Sequence, residues 1–346
     1  MKAVVYEAPR TFAVRDVPTP EPAAGEVRIK VDQVGVCGTD LHIHEGEFQA
    51  RFPLIPGHEL VGVVDALGDG VQRFALGEQV TVNPNIYCGQ CDHCLAGRLI
   101  LCRNMKGMGS NFPGFFAEYT TAPENLTFSV EGLDRDVAVF SEPAACAMHG
   151  LERLEIRPGS SALVIGAGPT GLLLAQLIAS GGATSVTVAA PRQFKLDAAL
   201  RLGADGVVLI DRADPQANVE ALRAASPDGT GYDIVVEATG SPEVGSTCVS
   251  LTRTGGTVLI YGVAKEADLV QFHPFDVFRR EITIRGSFAE VTSFAAAITA
   301  LRNGRVKTDG IITHRFHLDD FADALETVAS RRGHKVVIHT LGGRRA

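Results

Sequence analysis

Four cysteines are close together in the sequence. Cys88, Cys91, Cys94 and Cys102 lie within fifteen residues, and the chain holds seven cysteines in all. Tetrahedral Zn²⁺ accepts four thiolate ligands, and a closed shell of this kind leaves no position for a substrate. Disulfides and an iron–sulfur cluster are the alternatives. An odd cysteine count argues against a disulfide framework, and the spacing differs from familiar cluster patterns. We therefore expect a structural zinc site.

A second group of possible metal ligands is spread over the first 150 residues. Cys37 lies in the segment Gly35-Val36-Cys37-Gly38-Thr39-Asp40, and His58 and Glu59 follow a Pro-Gly pair. Glu142 is a further carboxylate. A mixed thiolate, imidazole and carboxylate set with one open position suits a catalytic zinc ion. Each residue alone is compatible with an ordinary buried or surface role. Only their combination indicates a metal.

A glycine-rich turn begins the second half of the chain. The stretch Gly166-Ala167-Gly168-Pro169-Thr170-Gly171 follows the apolar run 162–165 and precedes the apolar run 172–178. Strand, glycine turn and helix in this order are typical of a dinucleotide site, because the glycines allow the turn and the approach of a pyrophosphate to the helix N-terminus. A plain turn is the alternative. The flanking runs favour the dinucleotide site.

The elements that position these groups differ between the two parts of the chain. Short apolar strands punctuated by Gly and Pro predict a β-rich region over 1–150. From residue 158 onward, six short β-branched runs alternate with helical stretches, which is the pattern of a doubly wound parallel sheet. Helices near 294–303 and 318–330 and a strand at 335–339 follow. We expect a nucleotide-binding domain over 151–286, inserted into a first domain made of 1–150 and 287–346.

Composition limits the possible functions. The chain has 346 residues, a size that fits about two domains. A net charge of −8 argues against a nucleic-acid partner. No apolar run reaches the roughly 18 residues of a membrane helix, and the N-terminus lacks the apolar core of a signal peptide. We expect a cytoplasmic protein without a membrane partner.

These motifs together resemble one family. The chain resembles the zinc-dependent medium-chain alcohol dehydrogenases, and within them the polyol (sorbitol-type) dehydrogenases. The resemblance rests on the motifs around Cys37, His58 and Glu142, on the four-cysteine segment, on Gly166–Gly171 and on Glu237-Ala238-Thr239-Gly240. It covers essentially the whole chain. It implies a GroES-like catalytic domain around a Rossmann domain, which makes the expected fold class α/β.

The resemblance also implies roles for individual residues. Cys37 and His58 are implied as zinc ligands, and Glu59 and Glu142 as carboxylates that bind zinc directly or hold a zinc-bound water. Asp40 matches the acid that orients the ligand histidine. Thr39 matches the hydroxyl that takes the proton from the substrate oxygen. His42 matches the histidine that passes the proton outward. Ordinary alternatives are a turn-capping role for Thr39 and a surface position for His42.

The expected nicotinamide cofactor is inferred from residues 186–195, about 20 residues past the glycine turn. NAD sites place an acid about 20 residues past the glycine turn, on the ribose 2′-hydroxyl. By resemblance Ala190 occupies that position, and residues 186–195 contain no acid. Arg192 could clamp a 2′-phosphate, with Lys195 adding charge. We therefore expect NADP to be preferred, while an enzyme that uses NAD stays an alternative. The resemblance places Thr239 at the cofactor as well.

The expected reaction is hydride transfer between a polyol or other secondary alcohol and NADP, with two zinc ions per subunit. A dehydrogenase of an amino alcohol such as threonine is the nearest alternative. A zinc-free quinone or enoyl reductase lacks the cysteine ligands that this chain has, and a non-catalytic binding module does not explain Thr39. Relatives are dimers or tetramers, so we expect a homo-oligomer.

Overall fold

The computed structural model describes residues 1–342, and the chain divides into two compact units. Unit 1 consists of Met1–Ala145, Glu290–Arg302 and the segment from Ile311 onward. Unit 2 consists of Cys146–Ala289 and Asn303–Gly310. Asn303–Gly310, which the sequence analysis assigns to the first domain, is grouped with unit 2. Within the described residues, no helix is long and apolar enough to cross a membrane.

The N-terminal part of the chain is rich in short strands. In chain order its elements are β1 (Lys2–Ala8), β2 (Thr11–Asp16), β3 (Glu26–Val36), α1 (Gly38–Glu45), β4 (Glu59–Leu67), β5 (Gln79–Val82), β6 (Asn85–Ile86), α2 (Asp92–Leu95), β7 (Lys106–Gly107), β8 (Tyr119–Pro123), β9 (Thr127–Ser129), α3 (Arg135–Ala138) and α4 (Ser141–Glu152).

Strands and helices alternate from residue 161 onward. The elements are β10 (Ser161–Ile165), α5 (Pro169–Ser180), β11 (Ser185–Ala190), α6 (Gln193–Arg201), β12 (Gly206–Leu209), α7 (Pro215–Ala224), β13 (Tyr232–Glu237), α8 (Pro242–Leu251), β14 (Thr252–Ile260), α9 (Pro274–Arg280) and β15 (Thr283–Gly286). The chain then continues with α10 (Phe294–Arg302), β16 (Ile312–His317), α11 (Phe321–Ala329) and β17 (Lys335–His339).

Unit 1 is built on a seven-stranded, mostly antiparallel sheet. Its strands follow the order β16-β17-β3-β4-β5-β9, and β8 pairs with β3. The long strand β3 buries alternate residues, including Val27, Ile29 and Val31, as expected for a strand with one face on the core. The C-terminal strand β17 pairs antiparallel with β3, at Val337 opposite Gly35. A distant segment of sequence thereby completes the sheet.

Unit 2 is a doubly wound α/β domain, as the alternating runs predict. Its six strands are parallel in the order β12-β11-β10-β13-β14-β15. All five residues of the central strand β10 are buried, which fits a strand covered on both faces. The order reverses between β10 and β13, and ligands of such sheets bind at the carboxyl ends of the strands at this point. The expected α/β fold class is confirmed.

Residues 303–310 pack with unit 2. The side chain of Gln176 donates from Nε2 to the carbonyl of Lys307 (3.0 Å) and accepts the Lys307 amide at Oε1 (2.8 Å). Gln176 lies in the buried part of α5. This reciprocal pair of hydrogen bonds fixes a short connecting segment on unit 2.

Candidate active site

Three side chains of different chemistry converge in unit 1. Cys37 precedes α1, and His58 and Glu59 lie at the start of β4. One donor atom from each of these three residues lies within 4.8 Å of the others. The three come together because Gly35 on β3 pairs with Glu59 on β4, so the loops at that end of both strands are neighbours. The sequence prediction that these residues share a site is consistent with this placement.

Asp40 connects the two ligand-bearing loops. Its Oδ2 accepts the Cys37 amide at 2.8 Å, and its Oδ1 lies 3.7 Å from His58 Nδ1. Burial raises the pKa of Asp40, while His58 and the Cys37 amide act in the opposite direction. Burial lowers the pKa of His58, but the negative charges of Asp40 and Cys37 outweigh it and the net shift is upward. Asp40 is therefore placed to orient the imidazole of His58.

The chemistry of this donor set fits a zinc ion. Glu59 is 1% exposed, and its Oε1 has no hydrogen-bond partner within the protein as described. A buried carboxylate oxygen without a hydrogen-bond partner destabilises the folded protein unless a bound ion or water molecule contacts it. Thiolate, imidazole and carboxylate are all zinc ligands. A divalent cation bound between Cys37, His58 and Glu59 would satisfy the free oxygen.

Sequence reasoning missed Lys335, the first residue of β17. Its Nζ forms an ion pair with Glu59 Oε2, and the lysine side chain is 3% exposed. Burial lowers the pKa of Lys335, but the charges of Glu59 and Cys37 more than compensate and the net shift is upward. The signal in the sequence is a lysine directly before the apolar run 336–338, and it does not reveal a partner almost 280 residues earlier.

Glu142 lies near this group without belonging to it. It is 8% exposed and lies in the first turn of α4. Among the described residues, the donor group within 4.8 Å comprises Cys37, His58 and Glu59, and it does not include Glu142. The carboxylate nevertheless contributes to raising the pKa of both His58 and Lys335. The negative charge of Glu142 therefore interacts electrostatically with His58 and Lys335.

Thr39 and His42 both lie on α1, which begins beside Cys37. Thr39 Oγ1 is 3.8 Å from Cys37 Sγ. His42 lies one helical turn further on and is partly exposed, with Nδ1 2.6 Å from Glu47 Oε2. Glu47 is a second residue that the sequence analysis missed. Thr39 therefore lies beside the donor group, and His42 contacts an exposed carboxylate.

The four-cysteine segment folds into a compact lobe. All seven cysteines are free thiols, so none of these four is in a disulfide. Their sulfur atoms lie within 4.8 Å of one another, with Cys91 Sγ at 3.5 Å from Cys94 Sγ and 4.0 Å from Cys102 Sγ. Tetrahedral ligation at about 2.3 Å requires sulfur–sulfur distances of about 3.8 Å. The lobe therefore has the dimensions of a tetrathiolate zinc site.

Backbone amides favour the thiolate forms of Cys88 and Cys91 in this lobe. The amides of Gln90 and Cys91 lower the pKa of Cys88 to about 6. The amide of Cys94 lowers the pKa of Cys91, whereas burial raises the pKa of Cys94 to about 12. The Cys88 thiolate is therefore available to a cation near neutral pH, and a bound ion would recruit the remaining ligands.

The glycine turn of unit 2 has the form that a dinucleotide needs. Gly166 has φ +125°, and a Cβ there would lie 2.7 Å from the Ala238 carbonyl. A Cβ on Gly171 would overlap the Gly166 carbonyl, whereas nothing lies within 4 Å of a Cβ on Gly168. The first and third glycines are thus required by the fold, and Gly168 leaves open space at the N-terminus of α5, where a pyrophosphate fits.

Four further predicted cofactor residues surround the carboxyl ends of the central strands. Thr170 follows Pro169 in the first turn of α5. Ala190 ends β11 and is 1% exposed. Arg192 is the exposed N-cap residue of α6, and Lys195 Nζ lies over the Phe194 ring at 5.8 Å from its centroid.

Thr239 follows β13 in a loop that is fixed by an acid. Its amide donates to Glu237 Oε1 at 2.7 Å, and its hydroxyl donates to the same oxygen. The Gly240 amide also donates to Glu237 (3.1 Å). Glu237 therefore holds this loop beside Gly166, whose position for a Cβ is bounded by Ala238 and Thr239.

Comparisons with known proteins identify the family of this chain. The family model described as the alcohol dehydrogenase GroES-like domain matches residues 23–132, and the zinc-binding dehydrogenase model matches 169–303. D-arabinitol dehydrogenase 1 of Uromyces fabae is 40% identical over 98% of this chain and 97% of its own length. Sorbitol dehydrogenase of Halalkalibacterium halodurans is 32% identical, with 98% and 99% covered.

A solved structure is similar over the same length. A proposed zinc-binding dehydrogenase of Sinorhizobium meliloti 1021, crystallised with NADP, has a TM-score of 0.92 and 36% identity, over 98% of this chain and 99% of that chain. The chain belongs to the zinc-dependent medium-chain alcohol dehydrogenase family, in its polyol dehydrogenase subgroup. It is an oxidoreductase that moves a hydride between an alcohol and a nicotinamide cofactor.

Proposed function

We propose that this enzyme oxidises a polyol at a secondary alcohol with NADP⁺ as the preferred cofactor. Unit 1 is the catalytic domain and unit 2 is the nucleotide-binding domain. The observation that carries the proposal is the buried convergence of Cys37, His58 and Glu59 within 4.8 Å, with one carboxylate oxygen free. Two relatives are named as arabinitol and sorbitol dehydrogenases, and these names support a polyol substrate rather than a simple alcohol.

Two zinc ions per subunit are part of the proposal. Cys37, His58 and Glu59 would hold the catalytic ion, with Glu142 binding it as well or holding water beside it. Cys88, Cys91, Cys94 and Cys102 would hold the structural ion. When bound, the catalytic zinc lowers the pKa of the substrate hydroxyl, and the oxidised nicotinamide accepts the hydride.

The side chains of α1 would handle the proton. Oxidation of a secondary alcohol yields a ketone, a hydride on the cofactor and one proton. The Thr39 hydroxyl accepts that proton from the substrate oxygen and gives up the proton that it carried before. His42 receives it, and Glu47, 2.6 Å from His42 Nδ1 and 40% exposed, provides an outlet to solvent. Asp40, whose Oδ1 lies 3.7 Å from His58 Nδ1, would orient the His58 ring by its charge.

The preference for NADP is proposed from charge. Ala190 offers no carboxylate to repel a 2′-phosphate, and the exposed guanidinium of Arg192 follows two residues later at the N-terminus of α6. Lys195 lies in the first turn of the same helix and adds positive charge. The NADP in the similar solved structure supports the same choice.

The test measures oxidation of a panel of sorbitol, xylitol, ribitol, galactitol, arabitol and 2,3-butanediol, with L-threonine as the competing amino alcohol. Each is assayed with NADP⁺ and NAD⁺, before and after a zinc chelator and after zinc is returned. We expect chelator-sensitive turnover that is highest with a polyol and NADP⁺. Turnover of L-threonine alone would refute the substrate class, and a higher kcat/KM with NAD⁺ would refute the cofactor choice.

We also propose that the enzyme is a homo-oligomer, a dimer or tetramer, joined through unit 2. Strand β15 lies at the edge of the six-stranded sheet, with Ile284 39% exposed. Phe275 and Phe278 on α9 are 68% and 78% exposed, and Leu269 is 80% exposed. Among the described residues β15 pairs with β14 alone, and a free strand edge together with exposed aromatic side chains on the preceding helix fits a subunit interface. Light scattering after gel filtration should give a multiple of 36.7 kDa, and Phe278→Glu should reduce it.

A further inference from the structure

Lys335 occupies an unusual position for a lysine. The residue is 2% exposed and lies at the start of β17 in unit 1. Lysine side chains are almost never fully buried unless they are paired. Here the partner is Glu59 Oε2, on the neighbouring part of the sheet. Gly35 lies between them, since a Cβ there would overlap Glu59 Oε2 and lie 2.7 Å from Lys335 Cε. The absence of a side chain at residue 35 makes room for the pair.

The Glu59 carboxylate therefore faces in two directions. Oε2 contacts the ammonium group of Lys335, and Oε1 has no hydrogen-bond partner within the described protein. A carboxylate oxygen of Glu59 also belongs to the donor group with Cys37 and His58. Glu59 thus lies between a permanent cation of the protein and the place that a zinc ion would take.

The charges at the site show what the lysine does. As zinc ligands, Cys37 would be a thiolate and Glu59 a carboxylate, which gives two negative charges in one donor group with Glu142 nearby. Lys335 neutralises part of that charge whether or not a metal is present. In the interior, charges a few ångströms apart interact strongly, because water screens them poorly. The same positive charge that stabilises the metal-free site must repel a divalent cation that binds to Glu59.

We propose that Lys335 sets the zinc affinity of this site, by competing with the metal for the charge of the Glu59 carboxylate. The inference rests on the proposed function, in that it takes Cys37, His58 and Glu59 as the zinc ligands. Lys335 is a positioning residue that acts through Glu59. Its effect is to keep the ligand group folded without metal while keeping zinc binding weaker than the ligands alone would make it.

The experiment measures zinc dissociation constants by chelator competition in the full-length protein. Variants are Lys335→Met, Lys335→Arg, Glu59→Gln and the double variant of Lys335→Met with Glu59→Gln. His58→Ala identifies which of the bound zinc ions belongs to this site, because the lobe at residues 88–102 is unchanged in it. Lys2→Met is the control, since it removes a lysine from an exposed ion pair of the same unit.

We expect Lys335→Met to tighten zinc binding at this site by about tenfold or more, because one positive charge close to a divalent ion is removed. Lys335→Arg keeps the charge and should stay within about threefold of wild type, on the same electrostatic argument. In the Glu59→Gln background most of the effect of Lys335→Met should disappear. The melting temperature of the zinc-free Lys335→Met protein should fall, and the increase on zinc addition should exceed that of wild type.

Two results would overturn the inference. Weaker zinc binding in Lys335→Met would mean that the lysine only holds Glu59 in position for the metal. An equal effect of Lys335→Met in the wild-type and Glu59→Gln backgrounds would mean that the lysine does not act through the carboxylate. Lys335→Met alone could fail to fold, because it leaves Glu59 buried without its partner. In that case the double variant is compared with Glu59→Gln, which measures the effect of the lysine when the carboxylate is absent. A tenfold tightening of zinc binding in that comparison would equally overturn the inference. If His58→Ala retains as much zinc as the wild-type enzyme, the proposed ligand set is refuted instead.

Discussion

Replacement of Gly35 by alanine should disrupt the catalytic unit through a single methyl group. The new Cβ would overlap Glu59 Oε2 and lie 2.7 Å from Lys335 Cε. Gly35 is on β3, which is paired on one side with Glu59 of β4 and on the other with Val337 of β17. The atoms that it would meet belong to two side chains, and because both side chains are buried, we expect the methyl group to be accommodated by displacing the ion pair.

The magnitude follows from the cost of that separation. Breaking a buried ion pair costs about 3–5 kcal/mol, and alanine in place of glycine returns about 0.4–1 kcal/mol through the unfolded chain. We expect a net loss of about 2–4 kcal/mol in the free energy of unfolding. For a unit of this size, that corresponds to a fall of about 5–15 °C in the melting temperature.

The assay is guanidinium and thermal unfolding followed by far-ultraviolet circular dichroism, because the chain contains no tryptophan for fluorescence. Gly38→Ala is the matched control, since nothing lies within 4 Å of a Cβ at Gly38 and its φ is not in the left-handed region. The control should unfold within about 1 kcal/mol of wild type, at or above its stability. A Gly35→Ala enzyme as stable as the control would refute the argument that the glycine makes room for the ion pair.

Three further predictions concern the cofactor and the second metal site. Ala190→Asp should lower kcat/KM for NADP⁺ by about 100-fold, and Arg192→Ala should lower it by about tenfold, with smaller effects for NAD⁺. Steady-state kinetics with both cofactors measures this, and equal losses for the two cofactors would contradict the proposed NADP preference. Cys88→Ser should remove one of two zinc ions in metal analysis and leave the ion that depends on His58; loss of neither would refute the lobe as a zinc site. Gly168→Ala should fold normally but lose dinucleotide affinity by about tenfold or more in calorimetry, because its methyl group would fill the open space at α5; unchanged affinity would mean that the pyrophosphate lies elsewhere.

Much of unit 2 could be predicted from the sequence because its elements are local. The six β-branched runs that the sequence shows correspond to β10–β15, with ends that differ by at most five residues; they are 162–165, 185–188, 207–210, 233–237, 257–261 and 282–284. At β14 the apolar run predicts a start at Thr257, but the strand begins at Thr252, because the intervening Gly255 and Gly256 conceal it. Glycine pairs are typical of turns, yet here the sheet carries the chain through them.

The ligand group of unit 1 could be predicted only in part. Cys37, His58 and Glu59 are near in sequence and have side chains that bind metals, so their types indicate a shared site. Lys335 and Gly35 could not be identified in the same way. Their importance comes from the pairing of β3 with β4 and β17, and that pairing joins residues about 300 positions apart. Glu47 was missed for a different reason, since an exposed acid on a loop resembles any other.

The pairing of β17 with β3 has a consequence for how the protein is made on the ribosome. Strand β3 ends at Val36, and its partner begins at Lys335. At about 5–20 residues per second, roughly 15–60 s separate the synthesis of the two. During that interval residues 33–36 of β3, which pair with β17, lack that partner, and Glu59 has no lysine beside it. The nucleotide-binding unit, which comes from nearly contiguous sequence, can fold first. A nascent catalytic unit therefore lacks part of its sheet pairing, and the Cys37, His58 and Glu59 group lacks its lysine, until β17 has been made; chaperones or early zinc binding would protect it at that stage.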